Sequence, residues 1–132
     1  MGLIRSGKLL YKLPALLISG IIWFLSSRQV LPTPKGILGF DKVQHLLAYL
    51  VLAMTVGLWF SLHQWTRRPW RCAAWVVAIA VVYGISDELH QTFVPGRDGN
   101  VWDWVADTLG ALIGTGLVML SARKLGSMPR RS

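Results

Sequence analysis

The stretch "CAAWVVAIAVVYGIS", residues 72–86, contains no charged side chain. Three further stretches also lack Lys, Arg, Asp and Glu: residues 13–27 ("LPALLISGIIWFLSS"), 43–66 and 108–122 ("TLGALIGTGLVMLSA"). A membrane-spanning helix needs about 20 mainly apolar residues, and flanking Lys or Arg side chains can extend to the headgroups. The sequence therefore predicts an all-α, polytopic membrane protein: a four-transmembrane-helix bundle with spans at about residues 13–30, 43–64, 72–90 and 102–122.

The composition supports this fold class and a single domain over residues 1–132. Hydrophobic residues make up 53% of the chain and charged residues only 15%, against roughly 25% charged residues in ordinary soluble domains. A soluble chain of this length has too much surface to hide so many apolar side chains. Cys72 is the single cysteine, which excludes an internal disulfide, and we interpret it as a small packing residue.

The net charge of +8 is explained by membrane orientation and does not predict a nucleic-acid partner. Ten of the 14 Lys and Arg residues fall on one predicted side, at positions 5, 8, 12, 67, 68, 71, 123, 124, 130 and 131. The other side has four, at positions 28, 35, 42 and 97. The positive-inside rule then places both termini, including a basic tail at 123–132, in the cytoplasm. All six acidic residues fall on the opposite, outer side.

The second predicted span begins with polar side chains that share one face. At 100° per residue, Asp41, Lys42, His45 and Tyr49 form a stripe that descends from the span's outer end into the membrane. The third span ends with "SDELHQ", which contributes Asp87, Glu88, His90 and Gln91.

The loop "TFVPGRDGN", residues 92–100, contains Pro-Gly and Asp-Gly pairs that predict tight turns and carries Arg97. Asn100 is the predicted N-cap of the fourth span. Asp103, Asp107, Gly110 and Gly114 then share one helix face. Because a GxxxG face allows close helix packing, we expect both aspartates to meet other helices, where Lys42, His45, His90 or Arg97 could pair with them.

Two interpretations of these polar residues remain open. They could lock the helices together as a purely structural network, or they could form an outward-facing pocket, because ionisable groups at membrane depth usually mark function. For acid–base chemistry the candidates are His45, Asp87 and Glu88. No His-x-x-x-His or phosphate-loop motif is present, so the sequence predicts neither a metal site nor a cofactor.

Three motifs together resemble the VanZ-like family of small bacterial membrane proteins. They are "DKVQHLLAY" from Asp41, "SDELHQTFVPGR" from residue 86, and "DWVADTLGALIG" from Asp103. The resemblance covers about residues 37–116. At Asp107 this chain has an acid where the family often has Asn.

The resemblance implies a multi-pass protein of the bacterial cytoplasmic (inner) membrane, with polar motifs that face the cell envelope. The family is named for a protein associated with low-level resistance to the glycopeptide teicoplanin. A pocket that binds or modulates a lipid-linked envelope precursor or such an antibiotic is the expected function. The expected binding residues are Asp41, Lys42, His45, Tyr49, Asp87, Glu88, Gln91, Arg97, Asp103 and Asp107.

Two alternatives to this function stay open. The chain could be an enzyme that acts on a lipid phosphate or glycan by acid–base chemistry. It could instead be an assembly partner of another membrane protein.

Overall fold

The computed structural model describes residues 9–28 and 39–128, and all regular secondary structure in these two ranges is helical. The helices are α1 (Leu13–Ser26), α2 (Phe40–Gly57), α3 (Leu62–Arg67), α4 (Pro69–Gln91) and α5 (Val101–Gly126). The all-α prediction is confirmed, and each of the four long helices overlaps one predicted span. Lys35, residues 29–30 of the first predicted span, the basic residues at positions 5 and 8, and residues 129–132 of the tail lie outside the described ranges.

The helix boundaries follow from local sequence signals. Proline occupies the first turn of α1 and of α4, where its missing N–H is not needed. The Asn100 side chain accepts a hydrogen bond from the backbone N–H of Trp102 at 3.0 Å, which confirms the predicted N-cap of α5.

The second predicted span, 43–64, is not one continuous helix. α2 ends at Gly57, and a capping box formed by Ser61 and Gln64 begins α3, because the two residues satisfy each other's free backbone N–H groups. Trp65 of α3 is buried, and its indole N–H donates to the carbonyl oxygen of Gly57 at 3.0 Å. The chain therefore turns back at this end of the bundle before α4 begins.

The closest helix packing lies between α2 and α5. A Cβ atom added at Gly110 would overlap the carbonyl oxygen of Leu46, and one added at Gly114 would overlap that of Leu50. These two glycines therefore let the backbones of α2 and α5 touch, as the GxxxG pattern predicts. α4 packs on the same pair, whereas α1 packs mainly on α2 and only lightly on α4.

The bundle is apolar outside and partly polar inside. All four long helices expose large hydrophobic side chains, while Asp87, Gln91, Asp103 and Asp107 are buried. This distribution is unfavourable in water and fits a protein embedded in a lipid bilayer.

Within residues 9–28 and 39–128, two helices, α4 and α5, are long and apolar enough to cross a membrane. At 1.5 Å per residue they measure about 35 and 39 Å, against a hydrocarbon core of about 30 Å. α1 is apolar but measures only about 21 Å, and α2 begins with polar residues. The count of four spans and the cytoplasmic position of the termini therefore stay predictions.

Candidate functional site

Five parts of the chain meet at one end of the bundle, which we call the acidic end. It comprises the last turn of α1, the first turns of α2, the last turns of α4, the loop 92–100 and the first turns of α5. Consecutive long helices run in opposite directions, so residues far apart in sequence come together here. The acidic residues at positions 41, 87, 88, 98, 103 and 107 all belong to these parts.

Lys42 joins two carboxylates at the rim of the acidic end. Its Nζ atom lies 2.6 Å from Asp41 Oδ2 and 2.5 Å from Asp103 Oδ1, and Asp103 is 7% exposed. The hydrogen bond from Lys42 lowers the pKa of Asp41, and partial burial only partly opposes it. Burial disfavours the ammonium, but the hydrogen bonds with Asp103 and Asp41 outweigh this and raise the pKa of Lys42. Lys42 is therefore a fixed positive charge between α2 and α5.

His45 lies one turn deeper, among three carboxylates. Its Nδ1 atom is 2.9 Å from Asp107 Oδ1 and 3.9 Å from Glu88 Oε1, and its Nε2 atom is 3.9 Å from Asp103 Oδ2. When Asp107 is ionised it can only accept a hydrogen bond, and the 2.9 Å contact is then a donation from the Nδ1–H tautomer of His45. The Asp107 side chain is fully buried, which makes this the most enclosed pair in the cluster.

Glu88 approaches His45 from α4. The backbone N–H of Asn100 donates to Glu88 Oε2 at 2.8 Å and thereby fixes the carboxylate. Among the described residues, Glu88 Oε1, Asp107 Oδ2 and the hydroxyl of Tyr49 are buried without a hydrogen-bond partner. Such atoms are rare because each carries a desolvation cost.

A second group of polar residues surrounds Asp87, which is 1% exposed. Ser26 of α1 donates to Asp87 Oδ1 at 2.5 Å, and Gln91 Nε2 donates to Asp87 Oδ2 at 3.3 Å. Gln91 Oε1 in turn accepts from Arg97 Nη2 at 2.9 Å, and Arg97 Nη1 donates to the carbonyl oxygen of Arg28 at 3.3 Å. This chain of hydrogen bonds connects α1, α4 and the loop that follows α4.

Gly96 places Arg97 for these contacts. Its φ of +79° lies in the left-handed region, which glycine adopts without steric cost. The predicted Pro-Gly turn is therefore present and returns the chain towards the end of α4.

A cavity of about 410 Å³ lies between α1, α2 and α4. One part of its wall is apolar and comes from Ile22, Leu25, Leu47 and Ala48. The polar lining consists of Ser26, Gln44, His45, Tyr49, Asp87, Gln91 and Arg97. The cavity lining is therefore amphiphilic. Its polar part includes His45, from the cluster around Asp107, and Asp87, from the second group of polar residues.

A family model described as VanZ/LLP1 matches residues 8–122 of the chain. The chain belongs to the VanZ/LLP1 family. No curated protein and no solved structure has a significant match to it.

The structure brings together all the predicted binding residues of this VanZ/LLP1 chain at the acidic end. Residues 41, 42, 45, 88, 103 and 107 form one cluster, while residues 49, 87, 91 and 97 line the cavity. Two expected pairings do not occur among the described residues. Arg97 binds Gln91 and a carbonyl group, and His90 stacks on Trp23 with ring centroids 4.0 Å apart.

Sequence reasoning missed Ser26 and Gln44, which line the cavity. Ser26 is buried at the end of α1 and contacts Asp87. The signal in the sequence was the pair Ser26 and Ser27 at the end of the otherwise apolar stretch 13–27. Because serine often ends a helix for local reasons, that signal alone does not indicate a site.

Proposed function

We propose that this VanZ/LLP1 protein is a multi-pass protein of the bacterial cytoplasmic membrane that binds a lipid-linked cell-envelope precursor. The observation that carries the proposal is the cavity between α1, α2 and α4, with its apolar wall and polar lining. An amphiphile with a polyisoprenyl or acyl chain and an anionic head group matches both surfaces. A glycopeptide-type antibiotic is the alternative ligand for this cavity.

Arg97 is the residue best suited to the anionic head group. A guanidinium group has five N–H donors, and the two protein contacts of Arg97 occupy one donor on each terminal nitrogen. The remaining donors can bind a phosphate, which arginine recognises through paired hydrogen bonds. Gln44 lines the same cavity, and its side-chain oxygen accepts no hydrogen bond from the described residues, so it can accept one from a sugar hydroxyl.

The polar cavity then opens towards the outer leaflet. The distribution of Lys and Arg supports this orientation, since six of the nine in the described ranges, at positions 12, 67, 68, 71, 123 and 124, lie at the end opposite the acidic end. Lipid-linked envelope precursors are consumed on that outer side, and one could reach the cavity laterally from the bilayer. α1 packs only lightly on α4, which is consistent with lateral access.

A second candidate function is an enzyme that acts on the lipid phosphate or glycan. The specific observation in its favour is the 2.9 Å contact between His45 and Asp107, with His45 in the cavity lining. A carboxylate that orients a histidine is a common arrangement for general acid–base catalysis. Asp87 and Glu88 are the other candidate acids or bases.

Binding is tested by mass spectrometry of the lipids that co-purify with the full chain in nanodiscs formed from native membranes. We expect a phosphorylated lipid with the wild-type protein and at least a tenfold loss with Arg97→Gln, which corresponds to one phosphate contact of about 1.4 kcal/mol. Arg67→Gln is the matched control, because Arg67 is exposed at the opposite end. Equal lipid content in all three proteins would reject the binding proposal.

The enzyme candidate is tested in cells by comparing lipid profiles of a deletion strain complemented with wild type, His45→Ala or Asp87→Ala at equal expression. An enzyme predicts that a lipid accumulates in the deletion strain and that neither variant clears it. Indistinguishable profiles would remove this candidate while leaving the binding proposal to its own test.

A further inference from the structure

Three helices each contribute one potential metal-ligating side chain to a single point of the acidic end. They are His45 of α2, Glu88 of α4 and Asp107 of α5, and their ligand atoms all lie within 4.8 Å of one another. His45 and Glu88 are each 12% exposed, while Asp107 is completely buried. The point is thus enclosed on the α5 side and accessible at His45, which also lines the cavity.

The distances from His45 Nδ1 to the two carboxylates lie in the range found between ligands of one metal ion. For bonds of about 2.0–2.1 Å, two ligands lie about 2.9 Å apart at a right angle, about 3.4 Å apart at the tetrahedral angle and about 4.1 Å apart when opposite. His45 Nδ1 lies 2.9 Å from Asp107 Oδ1 and 3.9 Å from Glu88 Oε1. Both distances fall in this range and the three ligand atoms lie within 4.8 Å of one another, so small side-chain movements would bring all three around one ion.

Unpartnered polar atoms lie close to the same place and are available to contact a bound ion or its water ligands. The Tyr49 side chain is 1% exposed, and its hydroxyl has no hydrogen-bond partner in the described ranges. Tyr49 follows His45 by one helical turn, and its ring and Asp107 Oδ2 lie side by side against Gly84. Glu88 Oε1 is also unpartnered and faces His45. A bound ion with its water ligands would satisfy these atoms.

The charge balance favours a cation. Glu88 and Asp107 carry two negative charges when ionised, and His45 carries at most one positive charge. Within the described residues, neither Glu88 nor Asp107 forms an ion pair with a Lys or Arg side chain. Lys42 binds Asp41 and Asp103 instead. Uncompensated charge is costly in a low-dielectric interior, and a divalent cation would neutralise it.

Residues around these three side chains hold one of them in place and lie close to a second. The backbone N–H of Asn100 binds the other oxygen of Glu88. Asp103 Oδ2 lies 3.9 Å from Nε2, the ring nitrogen of His45 that is not one of the three ligand atoms. A metal-bound histidine usually donates its second N–H to a carboxylate, and Lys42 fixes Asp103 for this role.

We propose that His45 Nδ1, Glu88 and Asp107 bind a divalent transition-metal ion at the acidic end of the bundle. One imidazole nitrogen with two carboxylates suits Zn²⁺ or Mn²⁺. Three protein ligands leave one or more coordination positions for water or for an oxygen of a bound head group. The metal site stands on its own geometry and does not depend on the proposed lipid ligand.

The test measures metal content of the full, tag-free chain in detergent without added lipid. The chelator-treated protein is dialysed against Zn²⁺ or Mn²⁺ and analysed by inductively coupled plasma mass spectrometry. We expect about one ion per chain for wild type and at least a tenfold weaker affinity for Glu88→Gln and Asp107→Asn. The matched controls Asp98→Asn and His63→Gln alter exposed residues of the same chemical types and should bind like wild type.

A second readout distinguishes lost ligands from lost folding. Metal binding to the native state raises the melting temperature, so Zn²⁺ or Mn²⁺ should stabilise wild type and both controls but not Glu88→Gln. Circular dichroism verifies that Glu88→Gln is helical. If Asp107→Asn does not fold, the comparison of metal affinity between wild type and the near-isosteric Glu88→Gln still tests the proposal. Less than 0.1 ion per wild-type chain with both metals, or equal affinity in wild type and Glu88→Gln, overturns the proposal.

Discussion

Replacing Gly110 with alanine should destabilise the bundle, whereas the same change at Gly116, on the same helix, should not. A Cβ atom at Gly110 would overlap the carbonyl oxygen of Leu46 and lie 3.0 Å from the backbone nitrogen of Leu50. These atoms belong to a helix backbone and cannot rotate away as a side chain can. A Cβ atom at Gly116 meets nothing within 4 Å.

The magnitude follows from two opposing terms. Overpacking costs about 1–3 kcal/mol, and contact with rigid backbone places Gly110→Ala near the upper end. Alanine returns up to about 1 kcal/mol through its higher helix propensity. We therefore expect Gly110→Ala to lose about 2 kcal/mol and Gly116→Ala to gain up to about 1 kcal/mol.

The two variants are compared in the same detergent by thermal unfolding monitored by circular dichroism, with reversibility checked for each protein. Gly110 also holds α2 against α5 close to the contact between His45 and Asp107. To relieve the overlap, the helices must separate by about 1 Å, which would lengthen that 2.9 Å contact beyond hydrogen-bonding distance. If Gly110→Ala is as stable as wild type, or if both variants lose stability equally, the close α2–α5 packing is wrong.

Two further perturbations test the polar contacts of the acidic end. Ser26→Ala removes the hydrogen bond to Asp87 between α1 and α4 and should cost about 1–3 kcal/mol, because it leaves a buried acceptor without its partner. Ser19→Ala removes a bond within α1 and should cost less than half as much in the same unfolding assay. Lys42→Gln should raise the pKa of Asp41 towards its ordinary value of 3.8, as followed by carbon-13 NMR of the carboxyl groups. Because Lys42 lowers this pKa, its stabilising effect is present above pH 3.8 and is lost as the pH falls through the folded-state pKa. An unchanged Asp41 titration would contradict the ion pair.

The features that could be predicted from the sequence are those that depend on one helix at a time. The face shared by Asp103, Asp107, Gly110 and Gly114 follows from 100° per residue, and the structure confirms that this face is buried. The cap at Asn100 depends on residues next to it in the chain. Such local rules do not need to know where the other helices are.

The features that could not be predicted depend on how the helices are placed against each other. Periodicity does not give the height of α1 relative to α4, and that height decides that Ser26 meets Asp87. It also decides that His90 stacks on Trp23 and does not pair with an aspartate of α5. The break after Gly57 was missed because the whole stretch 43–66 is uncharged, and only the Ser61 capping box marks it.

The positions of the glycines and the acids are energetically connected. A charged side chain at membrane depth costs roughly 2.5–3.5 kcal/mol on insertion scales, so burying Asp87 and Asp107 works against stability of the bundle. The glycine contacts between α2 and α5 offset part of this cost, because close backbone packing is a main source of helix association in membranes. They also keep the backbones that carry His45 and Asp107 close together. α1 has no comparable packing on α4, and the volume left between them is the polar cavity. The same bundle therefore combines a closely packed cluster of ionisable residues on its α5 side with a cavity on its α1 side.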